Sequence, residues 1–165
     1  MNRVDKTNYY LDIAESVASR STCLRKKYGT VIVKNDEIIS TGYSGSPRGR
    51  ANCIDLGYCN KKKVFPDAHH TGYDACRGVH SEQNAIISAS RKDMMNSTLY
   101  LVGYKETENG NEYEEGASPC LTCRKFIINS GIEKVVVRED KKNYIVIDVE
   151  EWVKNDELLN DVLAY

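Results

Sequence analysis

The alternation of apolar and polar residues predicts helices and strands in turn. Apolar residues recur at helical spacing from about Thr7 to Arg20, which predicts an amphipathic helix. The short apolar runs GTVIV and EIISTGYS predict two strands, and the polar KNDE between them predicts a hairpin turn. A second helix is expected from His80 onward, in GVHSEQNAIISA.

The second half of the chain continues this alternation. STLYLVG predicts a strand and YKETENGNEYEEGAS an exposed excursion. We then expect a helix near SPCLTCRKFIINSG that ends at Gly131, strands at EKVVVR and YIVID, and a closing helix at EEWVKNDELLNDVLAY. This order indicates an α/β fold, a three-layer αβα sandwich with a central mixed sheet. At 165 residues the chain is expected to form a single domain over residues 1–165.

One long segment, residues 45–78, has no clear periodicity. It is rich in Gly, Pro, Asn, Asp and Cys. An irregular segment of this length inside a small domain is usually functional or held in place by something else.

Charge and composition exclude some classes of function. The formal net charge is −1 and no basic block occurs, which argues against binding of long nucleic acid but leaves a small anionic ligand open. The N-terminus is too charged for a signal peptide, and no apolar run approaches the roughly 20 residues of a membrane span. We therefore expect a cytoplasmic protein without a membrane partner, whose six cysteines are thiols or metal ligands rather than disulfides.

The stretch SPCLTC carries the first candidate chemistry. Cys120 and Cys123 are three apart, so they share one face of a helix. Pro119 suits the first helical turn and Ser118 is the expected N-cap. The positive end of the helix favours thiolates. Taken alone, CxxC fits a redox pair or a chance occurrence as well as a metal site.

The helix from His80 changes this interpretation. One His and two Cys are the open three-ligand set of a catalytic zinc ion, with water at the fourth position. Glu82 lies two residues from His80, so it faces another side of the helix and is expected to move protons rather than to bind metal. The pair H-x-E and P-C-x-x-C matches the signature of zinc-dependent nucleobase deaminases.

The order of segments extends the match over most of the chain. GTVIV, IISTGYSGSPRG, HSEQNAI, SPCLTC and INSGIEKVVV resemble the deoxycytidylate deaminase branch of the cytidine deaminase-like superfamily. The resemblance implies a cytidine deaminase-like fold and hydrolytic deamination of a cytosine nucleotide, most simply dCMP to dUMP. In that reaction His80, Cys120 and Cys123 would be the zinc ligands and Glu82 the catalytic residue.

The resemblance also suggests substrate-binding residues. The branch usually has Asn at the position of Ser44, where it helps to hold the sugar, and VGAVIV where this chain has YGTVIV. The backbone around Ser118 corresponds to the site that binds the leaving amino group. Arg48, directly after GYSGSP, is the preferred candidate for the 5′-phosphate. Further candidates for this phosphate, or for the phosphates of an effector, each more often a simple surface charge, are Arg25, Lys27 and Arg50.

Four cysteines remain outside this set. Some phage and bacterial relatives carry a second, structural zinc near the same loop, and four thiolates would close a tetrahedral site. His69 or His70 could replace one of them. The alternative is four small buried residues, and disulfides are the least expected. The candidate ligands of the second zinc are Cys23, Cys53, Cys59 and Cys76.

The resemblance further implies a homo-oligomer, commonly a hexamer, with dCTP and dTTP as possible effectors. Three other functions remain open. The first is deamination of another small substrate, such as dCTP, CMP or a nucleoside. The second is a polynucleotide-editing deaminase, against which the absence of a basic stretch argues. The third is a non-catalytic zinc-stabilised binding module, which would have no need of Glu82.

Overall fold

A computed structural model describes residues 3–67, 73–114 and 116–155. The helices within these ranges are α1 Lys6–Ala18, α2 Cys53–Leu56, α3 Asn60–Val64, α4 Ser81–Ile87, α5 Arg91–Met94, α6 Leu121–Ser130 and α7 Val149–Lys154, with a 3₁₀ turn at Tyr73–Ala75. The strands are β1 Lys27–Lys34, β2 Glu37–Tyr43, β3 Thr98–Thr107, β4 Gly110–Tyr113, β5 Lys134–Arg138 and β6 Tyr144–Asp148.

The strands form one mixed sheet in the order β2-β1-β3-β5-β6. β3 and β5 run parallel, whereas the other neighbours are antiparallel, and β4 pairs with the last part of β3. The predicted turn between β1 and β2 is confirmed. Asn35 and Asp36 have φ of 50° and 69°, as a two-residue type I′ hairpin requires.

Helices cover both faces of the sheet, so the expected three-layer αβα sandwich is confirmed. α1 buries Leu11 and Ala14 against Val31 on one face. Ile32, the next residue of β1, points to the opposite face because side chains alternate along a strand. The cluster on that opposite face contains Ala85, Met94, Ile127 and Trp152 from α4, α5, α6 and α7.

Outside residues 45–78, two segments of the described chain differ from the sequence-based prediction. The excursion after β3 is a hairpin rather than a loop, because β3 continues to Thr107 and pairs with β4. Tyr104 in this hairpin is buried against the α1 cluster, so the segment is only partly exposed. The short helix α5, capped by Ser90, was not predicted.

The irregular segment contains more structure than its composition suggests. Within the described part of residues 45–78, the short helices α2 and α3 and the 3₁₀ turn break up the loop. The closing helix is described only as α7, and residues 156–165 of that prediction lie outside the described ranges. Among the described residues, no helix is both long and apolar enough to cross a bilayer.

Candidate active site

The start of α4 is held by the chain segment that follows β2 and by a contact within its own first turn. Gly45 and Val79 exchange backbone hydrogen bonds of 3.2 and 2.7 Å, which fasten the residue before His80. The Gln83 side chain accepts a hydrogen bond of 3.1 Å from the His80 backbone N–H. A Cβ on Gly42 of β2 would lie 2.3 Å from the Ser81 carbonyl oxygen, so only glycine allows this close approach.

The predicted cap of α6 is wrong. Cys120, not Ser118, is the N-cap, and the helix begins at Leu121. The Ser118 hydroxyl instead accepts a hydrogen bond of 3.1 Å from Arg124 Nη2, while Arg124 Nε donates to the Pro119 carbonyl at 2.9 Å. This arginine, which the sequence analysis did not single out, holds the segment before α6 and leaves Cys120 at the positive end of the helix.

Helices α4 and α6 bring three metal-binding groups together. His80 Nδ1 lies 3.5 Å from Cys120 Sγ and 3.4 Å from Cys123 Sγ. Nitrogen and sulfur ligands of a tetrahedral zinc ion, at about 2.0 and 2.3 Å from the metal, are separated by about 3.5 Å. Their donor set therefore fits zinc with one position left for water. Within the described ranges this is the one group of three such residues with ligand atoms all within 4.8 Å.

The two thiols differ in acidity. A hydrogen bond from Cys123, with a smaller contribution from His80, lowers the pKa of the Cys120 thiol to about 4. The same hydrogen bond and burial raise the pKa of Cys123. The pair thus shares a proton that a metal cation would displace, as expected for a thiolate metal site.

Glu82 lies on the first turn of α4 and is 5% exposed. Burial raises the pKa of its carboxyl group above the ordinary value. Ser81 donates a hydrogen bond of 3.1 Å to Glu82 Oε2, and Thr30 of β1 donates to Ser81 at 2.8 Å. A buried carboxyl with a raised pKa is suited to accept and release a proton near neutral pH.

A cavity of about 300 Å³ opens above these groups, in the size range of small-ligand pockets. Ser44 and Ser118 line it, and their role in substrate binding stays a prediction. The Ser44 hydroxyl lies 2.7 Å from that of Ser21 and accepts from the Tyr28 backbone N–H, which ties the ends of β1 and β2 together. The lining consists of Cys23, Arg25, Lys26, Tyr28, Ser44, Gly45, Cys59, Lys61, Cys76, Gly78, Val79, His80, Ser81, Glu82, Glu114, Ser118 and Cys120.

The positively charged residues that line this cavity do not include Arg48, the preferred candidate for binding the 5′-phosphate. Arg48 is exposed and does not line the cavity. Arg25 does, together with Lys26, which pairs with Glu114 at 2.6 Å, and Lys61, which is only 3% exposed. Lys61 could not be found from the sequence, because one lysine of NKKKV has no distinguishing spacing. The other candidates also lie outside the lining: Lys27 pairs with Glu106, and Arg50 is exposed.

The four remaining cysteines all line a second cavity of about 30 Å³ next to the first. Two of the sulfurs accept backbone hydrogen bonds, Cys23 from Arg25 at 3.5 Å and Cys76 from Gly78 at 3.4 Å. The cysteines do not converge as tightly as the first cluster, since no three of these sulfurs lie within 4.8 Å of one another. His69 and His70 lie outside the described residues.

Comparison with known proteins matches this fold and site to one group. Residues 4–139 match the cytidine and deoxycytidylate deaminase zinc-binding region. A deoxycytidylate deaminase of Mycobacterium phage D29 is 35% identical over 140 residues, covering 82% of this chain and 96% of the relative. The deoxycytidylate deaminase of Saccharomyces cerevisiae is 33% identical over 85% of this chain, which spans only 41% of that longer protein.

A solved structure supports the same grouping. The dCMP deaminase of cyanophage S-TIM5, crystallised with dCMP and dUMP, has a TM-score of 0.55 and 26% identity, with 84% of each chain covered. The fold and the His-Cys-Cys cluster with its buried glutamate define a zinc-dependent deaminase. The chain belongs to the cytidine and deoxycytidylate deaminase family. This confirms the resemblance to the deoxycytidylate deaminase branch, the cytidine deaminase-like fold and the need for zinc.

Proposed function

We propose that this protein hydrolyses dCMP to dUMP and ammonia. One observation carries the proposal: a buried glutamate lies beside a His-Cys-Cys cluster at a cavity of about 300 Å³. The similarity to phage deoxycytidylate deaminases supports dCMP as the substrate. The proposal includes one deaminase domain over residues 1–165 that acts in the cytoplasm.

Each candidate site residue has a separate role in the proposed reaction. His80, Cys120 and Cys123 would hold zinc, which when bound lowers the pKa of a coordinated water to about 7. Glu82 accepts that proton at its carboxylate and delivers it to the ring nitrogen beside the amino-bearing carbon. Hydroxide bonds to that carbon, and Glu82 takes the proton of the new hydroxyl group and passes it to the amino group. The C–N bond then breaks, and ammonia leaves with its electron pair. The backbone around Ser118 orients the amino group, and Ser44 faces the sugar.

The 5′-phosphate needs a cation within reach of the cavity. Arg25 and Lys61 line the cavity and are therefore better placed for this contact than Arg48. A phosphate contact by Arg48 stays a prediction. Lys26 already pairs with Glu114, so its charge is partly neutralised. A charge-assisted contact to phosphate is worth about 1.5–3 kcal/mol, or roughly tenfold or more in kcat/KM.

Steady-state ammonia release from a substrate panel tests this function. We expect dCMP to exceed deoxycytidine in kcat/KM by at least roughly tenfold, since deoxycytidine lacks the phosphate contact. CMP tests recognition of the sugar, and dCTP tests recognition of the phosphate chain. A single-stranded oligonucleotide tests polynucleotide editing. Equal kcat/KM for deoxycytidine and dCMP would make the protein a nucleoside deaminase. No ammonia from any substrate would favour a non-catalytic zinc-stabilised module.

We also propose a second, structural zinc at Cys23, Cys53, Cys59 and Cys76. The shared cavity and the backbone N–H groups directed at two of the sulfurs support it. Zinc ligation would draw the four sulfurs together and anchor the segment that contains α2 and α3.

Elemental analysis tests the second zinc. We expect about two zinc ions per chain, of which the substitution Cys59→Ser removes one and lowers Tm. Cys120→Ser is the matched variant, because it should remove the other zinc together with activity. One zinc per chain in fully loaded protein would contradict the second site.

Assembly and regulation are part of the same proposal. We infer a homo-oligomer, with a hexamer as the expected state and dCTP and dTTP as effectors. The exposed apolar side chains of Ile87 on α4 and Phe126 on α6, 66% and 44% exposed, support an association surface on the helical face. Sedimentation analysis with and without each nucleotide measures the assembly state.

A further inference from the structure

A chain of two buried hydroxyl groups connects the central sheet to Glu82. Thr30 Oγ1 donates to Ser81 Oγ at 2.8 Å, and Ser81 Oγ donates to Glu82 Oε2 at 3.1 Å. Thr30 and Ser81 are both completely buried. Thr30 belongs to β1, whereas Ser81 and Glu82 belong to α4. The Thr30–Ser81 bond therefore joins the two elements, and the Ser81–Glu82 bond continues the chain to the proposed proton carrier.

The direction of these hydrogen bonds follows from the number of protons. A hydroxyl group has one proton and two lone pairs. Because Thr30 donates a hydrogen bond to Ser81, one lone pair of the Ser81 hydroxyl is engaged from the sheet side, and its own O–H is directed to Glu82. A carboxylate accepts such a bond more strongly than a neutral group does. This hydrogen bond holds Oε2 toward Ser81, while the Glu82 backbone N–H and the Cys123 thiol also bond the carboxyl group.

We propose that Thr30 and Ser81 are positioning residues that hold the Glu82 carboxylate in its productive orientation. The inference rests on the proposed deaminase function. Neither hydroxyl touches the substrate in this account, and both act through Glu82. Without them the carboxylate could rotate, and a general base that is misplaced by a fraction of an ångström loses rate rather than substrate affinity.

Substitutions at the two positions separate positioning from packing. Ser81→Ala removes the donor to Glu82, and we expect kcat for dCMP to fall roughly tenfold to hundredfold with KM unchanged. Thr30→Val keeps the shape of the side chain but removes its hydroxyl group, and it should lower kcat less than Ser81→Ala does. Thr30→Ser keeps the hydroxyl and should restore kcat to near that of the wild type. The double variant should be no slower than Ser81→Ala, because both act through one chain of hydrogen bonds.

Ser40 provides the matched control. Its hydroxyl is also buried and donates to α4, to the Ala85 carbonyl at 2.7 Å, but it does not contact Glu82. Ser40→Ala should therefore lower Tm to a similar extent without changing kcat. The zinc content of every variant should equal that of the wild type.

A crystal structure of the zinc-loaded Ser81→Ala protein gives a readout independent of turnover. We expect the Glu82 carboxylate to rotate or to occupy two orientations. Unchanged kcat in both Ser81→Ala and Thr30→Val would overturn the inference, as would an equal loss of kcat in Ser40→Ala. If Ser81→Ala does not fold, the pair Thr30→Val and Thr30→Ser decides by itself. A wild-type protein that releases no ammonia would contradict the proposed function instead, and the carboxylate orientation would still test the positioning role.

Discussion

In the proposed reaction, proton transfer depends on a single acid, Glu82, whose side chain is buried. Burial keeps the pKa of Glu82 high, while the same surroundings place it next to the sulfur of Cys123. The side chain is therefore prepared to gain a proton and to release it again, which an exposed carboxylate near neutral pH does poorly.

Replacing Glu82 by Gln should abolish turnover and leave zinc bound. Glutamine keeps the shape but cannot carry the proton, and loss of general acid–base catalysis costs roughly 10²–10⁴-fold in kcat. Ammonia release and elemental analysis of the purified variant measure the two properties separately. Glu150→Gln is the control, because Glu150 is exposed on α7 and pairs only with Lys154 among the described residues. A Glu82→Gln protein with near-normal kcat would refute the proton-transfer role.

The sequence predicted those residues of the candidate site that have a characteristic spacing. His80, Cys120 and Cys123 come together as expected, because metal ligands need fixed residue types at fixed separations. Thr30 and Ser81 were not found, since a lone hydroxyl on a strand and another on a helix have no such pattern. Their connection exists only after β1 and α4 pack together.

Two glycines set how closely the helices approach the sheet. A Cβ on Gly29 of β1 would lie 2.1 Å from the Ala14 carbonyl oxygen in α1. A Cβ on Gly42 of β2 would meet α4, at 2.4 Å from the Ala85 nitrogen. Both contacts bring a glycine against the backbone of a helix, but they lie on opposite faces of the sheet. Only Gly42 faces the helix that carries His80 and Glu82.

The substitutions Gly29→Ala and Gly42→Ala should therefore differ in their effect on activity. Both should lower the free energy of unfolding by about 1–3 kcal/mol, because backbone atoms must move to admit the methyl group. Gly42→Ala should also lower kcat, since it displaces the first turn of α4. Gly29→Ala should leave kcat close to that of the wild type at temperatures below its Tm. Denaturant titration and dCMP kinetics measure both effects, and an equal loss of kcat in the two variants would contradict this account.

The predictability of the elements depended on their length and periodicity. α1, β1 and β5 were predicted close to their observed bounds because their apolar positions form long or regular patterns. The four-residue elements α2, α5 and β4 were missed. Such short elements have too few apolar positions for a period and are stabilised by their neighbours, as β4 is by β3.

Across the whole molecule, a network of charges joins distant parts of the chain. Arg138 at the end of β5 is completely buried and pairs with Asp12 at 2.8 Å and Glu15 at 2.7 Å in α1. Glu15 also accepts hydrogen bonds from Lys141 and Tyr113, at 3.0 and 2.8 Å. No local sequence pattern could reveal this network, because most of its ion pairs and hydrogen bonds join residues that are more than a hundred positions apart in the chain.

The network gives the fold a defined dependence on pH. Burial alone would raise the pKa of Glu15, but the hydrogen bonds from Lys141, Tyr113 and Asn111 outweigh it, so the pKa lies below its ordinary value. A carboxyl whose pKa is lowered by folding stabilises the protein at pH values above its unfolded pKa, about 4.3. That contribution is lost as the pH falls through the lower pKa of the folded state.

The variant Glu15→Gln should therefore be less stable than the wild type at pH 7 and less sensitive to acid. Glutamine cannot pair with the buried Arg138 guanidinium as a carboxylate does, and loss of a hydrogen bond to a charged group costs about 1.5–3 kcal/mol. Thermal unfolding between pH 7 and pH 3 should show the two Tm curves converging at the acidic end, since protonation removes the same interaction from the wild type. Glu150→Gln, which changes an exposed carboxylate with no buried partner among the described residues, should follow the wild-type curve throughout. Parallel curves for the wild type and Glu15→Gln would mean that acid weakens the fold through other carboxylates.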